Sequence, residues 1–112
     1  MENPTRYYSK MMEEDVARQL GGNVVANSGA TLMYKGDVRT NDILVECKTV
    51  TKPQTGIRLE KPWIDKIRQE AFEQGKRYGV VAVRFEPKGK NYYVIPETLM
   101  QLLIEYMGAD NR

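Results

Sequence analysis

The chain has 112 residues, 41% of them hydrophobic and 29% charged, with a net charge of +2. That is enough for one domain with a modest core, and too little positive charge to compel nucleic-acid binding over the whole surface. It contains no histidine and one cysteine, which excludes His-based metal sites, Ser-His triads and an internal disulfide. The lone cysteine fits a reducing compartment, and a cytoplasmic protein is expected. No apolar run approaches the ~18 residues of a membrane span, and the polar start does not read as a signal peptide.

After a loose lead-in, Arg6 to Leu20 reads as a helix. Met12, Val16, Ala17 and Leu20 form its buried stripe, and Gly21-Gly22 stops it. Glu13 falls on the edge of that stripe, while Glu14 and Asp15 are expected to turn toward solvent. A carboxylate on a core-facing edge is either a solvated margin or a functional group; Glu13 is favoured for the latter, with Glu14 as fallback. Asn23 to Asn27 is a short strand. Ser28-Gly29-Ala30 follows as a turn whose small residues and free amides allow a phosphate close, or simply as a hairpin turn. Tyr34 and Lys35 lead toward a second strand and are placed beside a cleft.

Ile43, Leu44 and Val45 begin the central strand, which a carboxylate and an ammonium interrupt at Glu46 and Lys48. Alternation puts Glu46 and Lys48 on one face and Cys47 on the other. Burying two charges beside a core is costly unless they pair or bind an ion. If Asp37 sits on a paired neighbouring strand, it converges with Glu46, and Lys48 stands beside both. Two such carboxylates suit Mg²⁺ or Mn²⁺, which takes one or two carboxylates, keeps several waters and accepts substrate phosphate. An ordinary surface Glu–Lys pair is the other reading of the triplet. Asp42 rivals Asp37, but Asn41-Asp42 is placed where a turn would use an aspartate for local hydrogen bonds, so Asp37 is favoured.

Thr51 to Glu60 reads as a loop, with Lys52, Arg58 and Lys61 supplying positive charge near the proposed site that could clamp a phosphate backbone or merely face water. Pro62 opens a second helix with Trp63, Ile64, Ile67, Ala71 and Phe72 on its apolar face. Val80 to Phe85 is a strand covered on both faces, returning parallel to the Glu46 strand by a crossover. Tyr92 to Ile95 is the last strand. From Pro96 a helix follows, with Leu99, Leu102, Leu103 and Tyr106 inward and Gly108 at its end. The order is helix, three strands, helix, two strands, helix: an α/β fold with a central mixed five-stranded sheet.

An aspartate, then an apolar strand ending in Glu46-Cys47-Lys48, resembles the signature of the PD-(D/E)XK nuclease superfamily. Along nearly its whole length, the chain resembles the small Holliday junction resolvases of archaea and phages within it. The resemblance implies a restriction-endonuclease-like core and a Mg²⁺-dependent DNA endonuclease acting on four-way junctions. Asp37 and Glu46 would hold the metal, with the Cys47 carbonyl and, through water, Glu13, whose surroundings Glu13-Glu14-Asp15-Val16 match the family pattern on the first helix. Lys48 would position the attacking water. Ser28 and Gly29 would approach the DNA backbone. Symmetric cleavage of two strands implies a homodimer, with Tyr7, Tyr8, Met11 and Met33 as candidates for its interface. Ala26 and Asn27 stand where junction-specific members often place an arginine. A flap, single-strand or nicking nuclease of the same fold is the alternative, and a non-catalytic DNA-binding subunit is the third reading.

Overall fold

The computed structural model describes residues 4–25 and 36–109. Among these, three helices flank one five-stranded mixed sheet. The elements are α1 (Pro4–Leu20), β1 (Asn23–Val24), β2 (Val38–Arg39), β3 (Ile43–Lys48), α2 (Lys61–Glu73), β4 (Tyr78–Val83), β5 (Tyr92–Val94) and α3 (Glu97–Ala109). The strands lie in sequence order. β1, β2 and β3 pair antiparallel, β3 and β4 parallel, and β4 and β5 antiparallel. The one parallel pair is bridged by α2, as a crossover connection requires.

Alternation along the strands divides the core in two. Val45 of β3, with Val80 and Ala82 of β4, packs against Met12, Val16 and Ala17 of α1. Leu44, Val81 and Val83 point the other way, onto Ile67 and Ala71 of α2. The apolar stripe of α1 is therefore buried as its periodicity requires. Both α1 and α2 end in the same manner. Gly21 and Gly75 adopt φ of 67° and 69°, and the following amides of Gly22 and Lys76 bond back to Ala17 O and Ala71 O, each at 2.8 Å. Gly79 has a different role: a Cβ there would stand 2.5 Å from Ile67 O, so β4 can lie against the α2 backbone only without a side chain.

Four expectations need correcting. Asp15 is not a solvent-facing residue: its carboxylate accepts from Arg84 Nη2 at 2.5 Å and Asn91 Nδ2 at 3.2 Å. Arg84 is 3% exposed and also donates to Asn91 Oδ1 at 2.6 Å and Pro87 O at 3.1 Å. A cation that continues the buried Val80–Val83 run has no access to water, so it recruits the nearest acid of α1. Phe72 is 79% exposed, because it lies about 140° around the helix from the Ile67–Ala71 stripe, whereas Glu70 falls within the stripe and is buried. The first strand ends at Val24, and Ala26 and Asn27 lie outside the described residues. Finally, α3 buries Leu99 alone; Leu102, Leu103 and Tyr106, expected inward, are 38%, 44% and 73% exposed.

No helix among the described residues is long and apolar enough to cross a membrane.

A candidate metal and phosphate site at the end of β3

Three pieces of local structure bring the site together. Gly36 takes φ 84° and leaves no space for a Cβ, which would meet the Leu44 side chain at 2.6 Å. This turn delivers Asp37 to the start of β2. Its amide donates to Val45 O at 2.8 Å and its carbonyl accepts from Val25 N at 2.9 Å. Asp37 is thus clamped by its backbone between two strands, and its Oδ2 accepts from the Cys47 amide at 2.8 Å. Because Cys47 is the middle residue of the triplet, this bond ties Asp37 to the strand that carries Glu46 and Lys48.

The carboxyl groups of Asp37 and Glu46 are neighbours across the β2–β3 pair and act on each other electrostatically. Burial first, and then the Glu46 carboxyl, push Asp37 up to about 8, against an ordinary value of 3.8; the Cys47 amide opposes them. Without a cation, the protonated form of Asp37 is therefore favoured at neutral pH. Glu13 is also raised, first by burial, then by the charges of Glu46 and Glu14. The field of Glu13 reaches Asp37 too, so the acid of α1 borders the pair. Lys48 Nζ lies 3.5 Å from Glu46 Oε1 and 4.8 Å from the centre of the Trp63 ring, at the start of α2. Glu46, Lys48 and Leu44 share the sheet face that α2 covers, which is how Trp63 comes to roof the ammonium. The Cys47 thiol is pushed up, mainly by burial and then by Asp37, and has no thiolate character to offer as a nucleophile.

Asp37, Glu46 and Lys48 therefore meet at one end of the sheet beside the Cys47 backbone, and Glu13 of α1 is near enough for its charge to act on Asp37. Asp42 does not belong there. It is exposed in the β2–β3 turn, where its amide and that of Ile43 donate to Thr40 Oγ1 at 3.3 and 3.0 Å, and its carbonyl accepts from Arg77 and Tyr78. Glu14 is exposed. Lys52 is exposed on the 51–60 segment. Arg58 and Lys61 are also exposed and pair with Glu60 at 3.0 Å and Asp65 at 2.7 Å, contacts of small energetic weight. Ser28, Gly29, Lys35 and Met33 lie outside the described residues. Tyr7 is 44% exposed and meets the Tyr8 ring edge-on at 5.2 Å, while Met11 is half-buried.

Two residues escaped the sequence reading. Trp63 was assigned only to packing, and nothing in the sequence links it to a strand fifteen positions earlier. Arg84 did carry a signal: a cation directly after four apolar residues of a doubly covered strand needs a buried partner.

A divalent ion fits this donor set. Two carboxyl groups that must share a proton to coexist are relieved when a cation takes its place. Among the described residues, no three Asp, Glu, Cys or His side chains form a group able to hold a metal by themselves. An ion held by Asp37 and Glu46 would have to complete its shell with water or ligand oxygens. No protein-family model, curated protein or solved structure matches the chain.

Proposed function

We propose that the protein is a metal-dependent DNA endonuclease of the PD-(D/E)XK type, acting on four-way junctions as a Holliday junction resolvase. The observation that carries this reading is the Asp37–Glu46 carboxyl pair, with the Lys48 ammonium 3.5 Å from Glu46. The sequence of elements, with an αβββαβ core, matches what the resemblance implies and supports a restriction-endonuclease-like fold. Mg²⁺ or Mn²⁺, when bound, would acidify a water and neutralise charge on the phosphate. Asp37 and Glu46 would hold it, with the Cys47 carbonyl, and Glu13 would reach it through water.

The chain's own residues do the rest. Asp37 would release its proton to solvent if a cation were bound, leaving both carboxylates to hold it. Lys48, held between Glu46 and Trp63, orients the attacking water and stabilises negative charge at the scissile phosphate. With no histidine available, this carboxylate and lysine chemistry is the hydrolytic route open to the sequence. Paired nicks in one junction need two sites, and so two copies of the chain.

The test is incubation of the purified protein with labelled four-way junction, flap, single-strand and linear duplex DNA, with and without Mg²⁺. Metal-dependent, symmetric paired nicks in the junction are expected. Preferential cutting of flaps or single strands would reassign the substrate. Binding without cleavage under any divalent cation would reduce the protein to a DNA-binding subunit.

Trp63 offers a finer test of the same site. Trp63→Leu is expected to slow cleavage about tenfold, since an ammonium over an indole is worth roughly 0.5–2 kcal/mol. Trp63→Phe should keep most of the rate. Single-turnover cleavage at saturating DNA and fixed Mg²⁺ reads this directly, and equal rates for Leu and wild type would remove Trp63 from the site.

A further inference from the structure

Cross-strand register carries one more side chain to the end of the sheet that holds Lys48. Lys48 pairs with Val83, and Val83 with Tyr92, so the three stand in one row across β3, β4 and β5. Directly paired residues share a face, and Val83 packs on the α2 side. Tyr92 therefore rises from the same face as Glu46 and Lys48. Two strand spacings put its backbone about 10 Å from that of Lys48. Tyr92 is 54% exposed, and the Phe85 ring meets it edge-on, with centroids 5.6 Å apart. The Gln54 amide donates to Phe85 O at 2.8 Å, which fastens the segment leaving β3 beside the two rings. A cleft of about 370 Å³ is lined by Phe85, Tyr92, Glu86, Gly89 and Lys90. Lys88 and Lys90 are exposed on the turn that borders it.

An exposed tyrosine on an edge strand is ordinary by itself. What points to a ligand is its company: a second ring that fixes it, cations beside it, and a row shared with Lys48. We propose that Tyr92, braced by Phe85, is a stacking platform for an unpaired base of the strand whose phosphate lies at Lys48, with Lys90 on a neighbouring phosphate. Its place relative to the cut rests on the nuclease reading; the base-binding cleft does not. The Glu86 carboxylate disfavours a phosphate inside the cleft and suits the amino edge of a base. Every base has a π-face, so the platform selects for structure more than for sequence. The substrate class that follows is DNA with a base out of its stack beside the cut, as at a branch, and not continuous duplex.

Binding of DNA to the full chain without divalent metal, at fixed salt, tests this. The probes are a short mixed-sequence single strand, the same strand with stable abasic sites, and the matching duplex. Tyr92→Ala should weaken binding of the single strand about tenfold or more, and Tyr92→Phe should keep it within about twofold. The abasic strand and the duplex should bind wild type and Tyr92→Ala alike. Lys90→Ala should lower the salt slope for the single strand by about 1, whereas Tyr92→Ala should leave it unchanged. Circular dichroism checks that each variant folds, and the comparison of base-bearing with abasic strand needs no variant at all. A wild type that binds the two strands equally, or no single strand, would overturn the platform. So would a Tyr92→Ala loss that is absent on the single strand or equal on the duplex, and an unchanged slope for Lys90→Ala would overturn the phosphate contact. A protein that binds strands through Tyr92 but cuts nothing with Mg²⁺ sinks the nuclease reading alone. One that cuts junctions while Tyr92→Ala binds and cuts like wild type sinks the platform alone.

Discussion

Asp37→Asn is expected to abolish metal-dependent cleavage and, at the same time, to stabilise the metal-free protein. The loss should reach ~10³-fold or more, equivalent to about 4 kcal/mol of transition-state stabilisation. The gain follows from proton linkage. Asp37 titrates at about 8 in the folded chain and near its ordinary 3.8 when unfolded. Between those values the folded state binds the extra proton, so stability is fully present below pH 4 and is lost as pH rises through 8. The wild type without metal should therefore lose about 2 kcal/mol between pH 5 and 8.5, some of the strain being relieved by residual solvation. An asparagine carries no such proton, keeps an oxygen for the Cys47 amide and should flatten the slope. Added Mg²⁺ should flatten the wild-type slope too, and bind more tightly as pH rises, because the ion replaces the proton. Thermal melts across pH, with and without Mg²⁺, read all of this. A wild-type curve with no pH dependence in this window would remove the shared proton from the account.

The second large effect is expected far from any carboxylate pair. Arg84→Met should destabilise the protein by about 2–3 kcal/mol in urea unfolding, since Asn91 loses its donor and Asp15 keeps only the exposed Arg18 as a cation. Asp15→Asn should cost less, because it keeps a hydrogen-bonding oxygen. Asp15→Leu combined with Arg84→Met should recover part of the loss, as replacing both partners of a buried pair by apolar groups often does. The Arg84 amide donates to Lys48 O at 3.2 Å, a backbone bond that the substitution keeps. Single and double variants compared in one thermodynamic cycle measure the coupling.

The alternation in β3 was legible because a strand has a period of two: Leu44, Glu46 and Lys48 had to share a face. That Asp42 belongs to the β2–β3 turn and Asp37 to the strand level was legible from turn chemistry. The face of α1 followed from a clean stripe of four residues. α2 and α3 are apolar by composition more than by phase: Phe72 lies one residue, about 100°, past Ala71 and turns outward. In α3 the apolar arc is too wide for periodicity to single out Leu99 as the one buried residue. The Arg84–Asp15 pair joins positions 69 apart, a distance over which local rules carry no information.

Gly79 gives the site its dimensions. Because nothing but hydrogen occupies that position, α2 rests directly on the backbone of β4, and Trp63 stands one helical turn before the Ile67 contact. The gap between the indole and the carboxylates is set by this seat rather than by any residue lining it. A methyl group on that single α-carbon would push α2 away from β4 and lift Trp63 off the Lys48 ammonium.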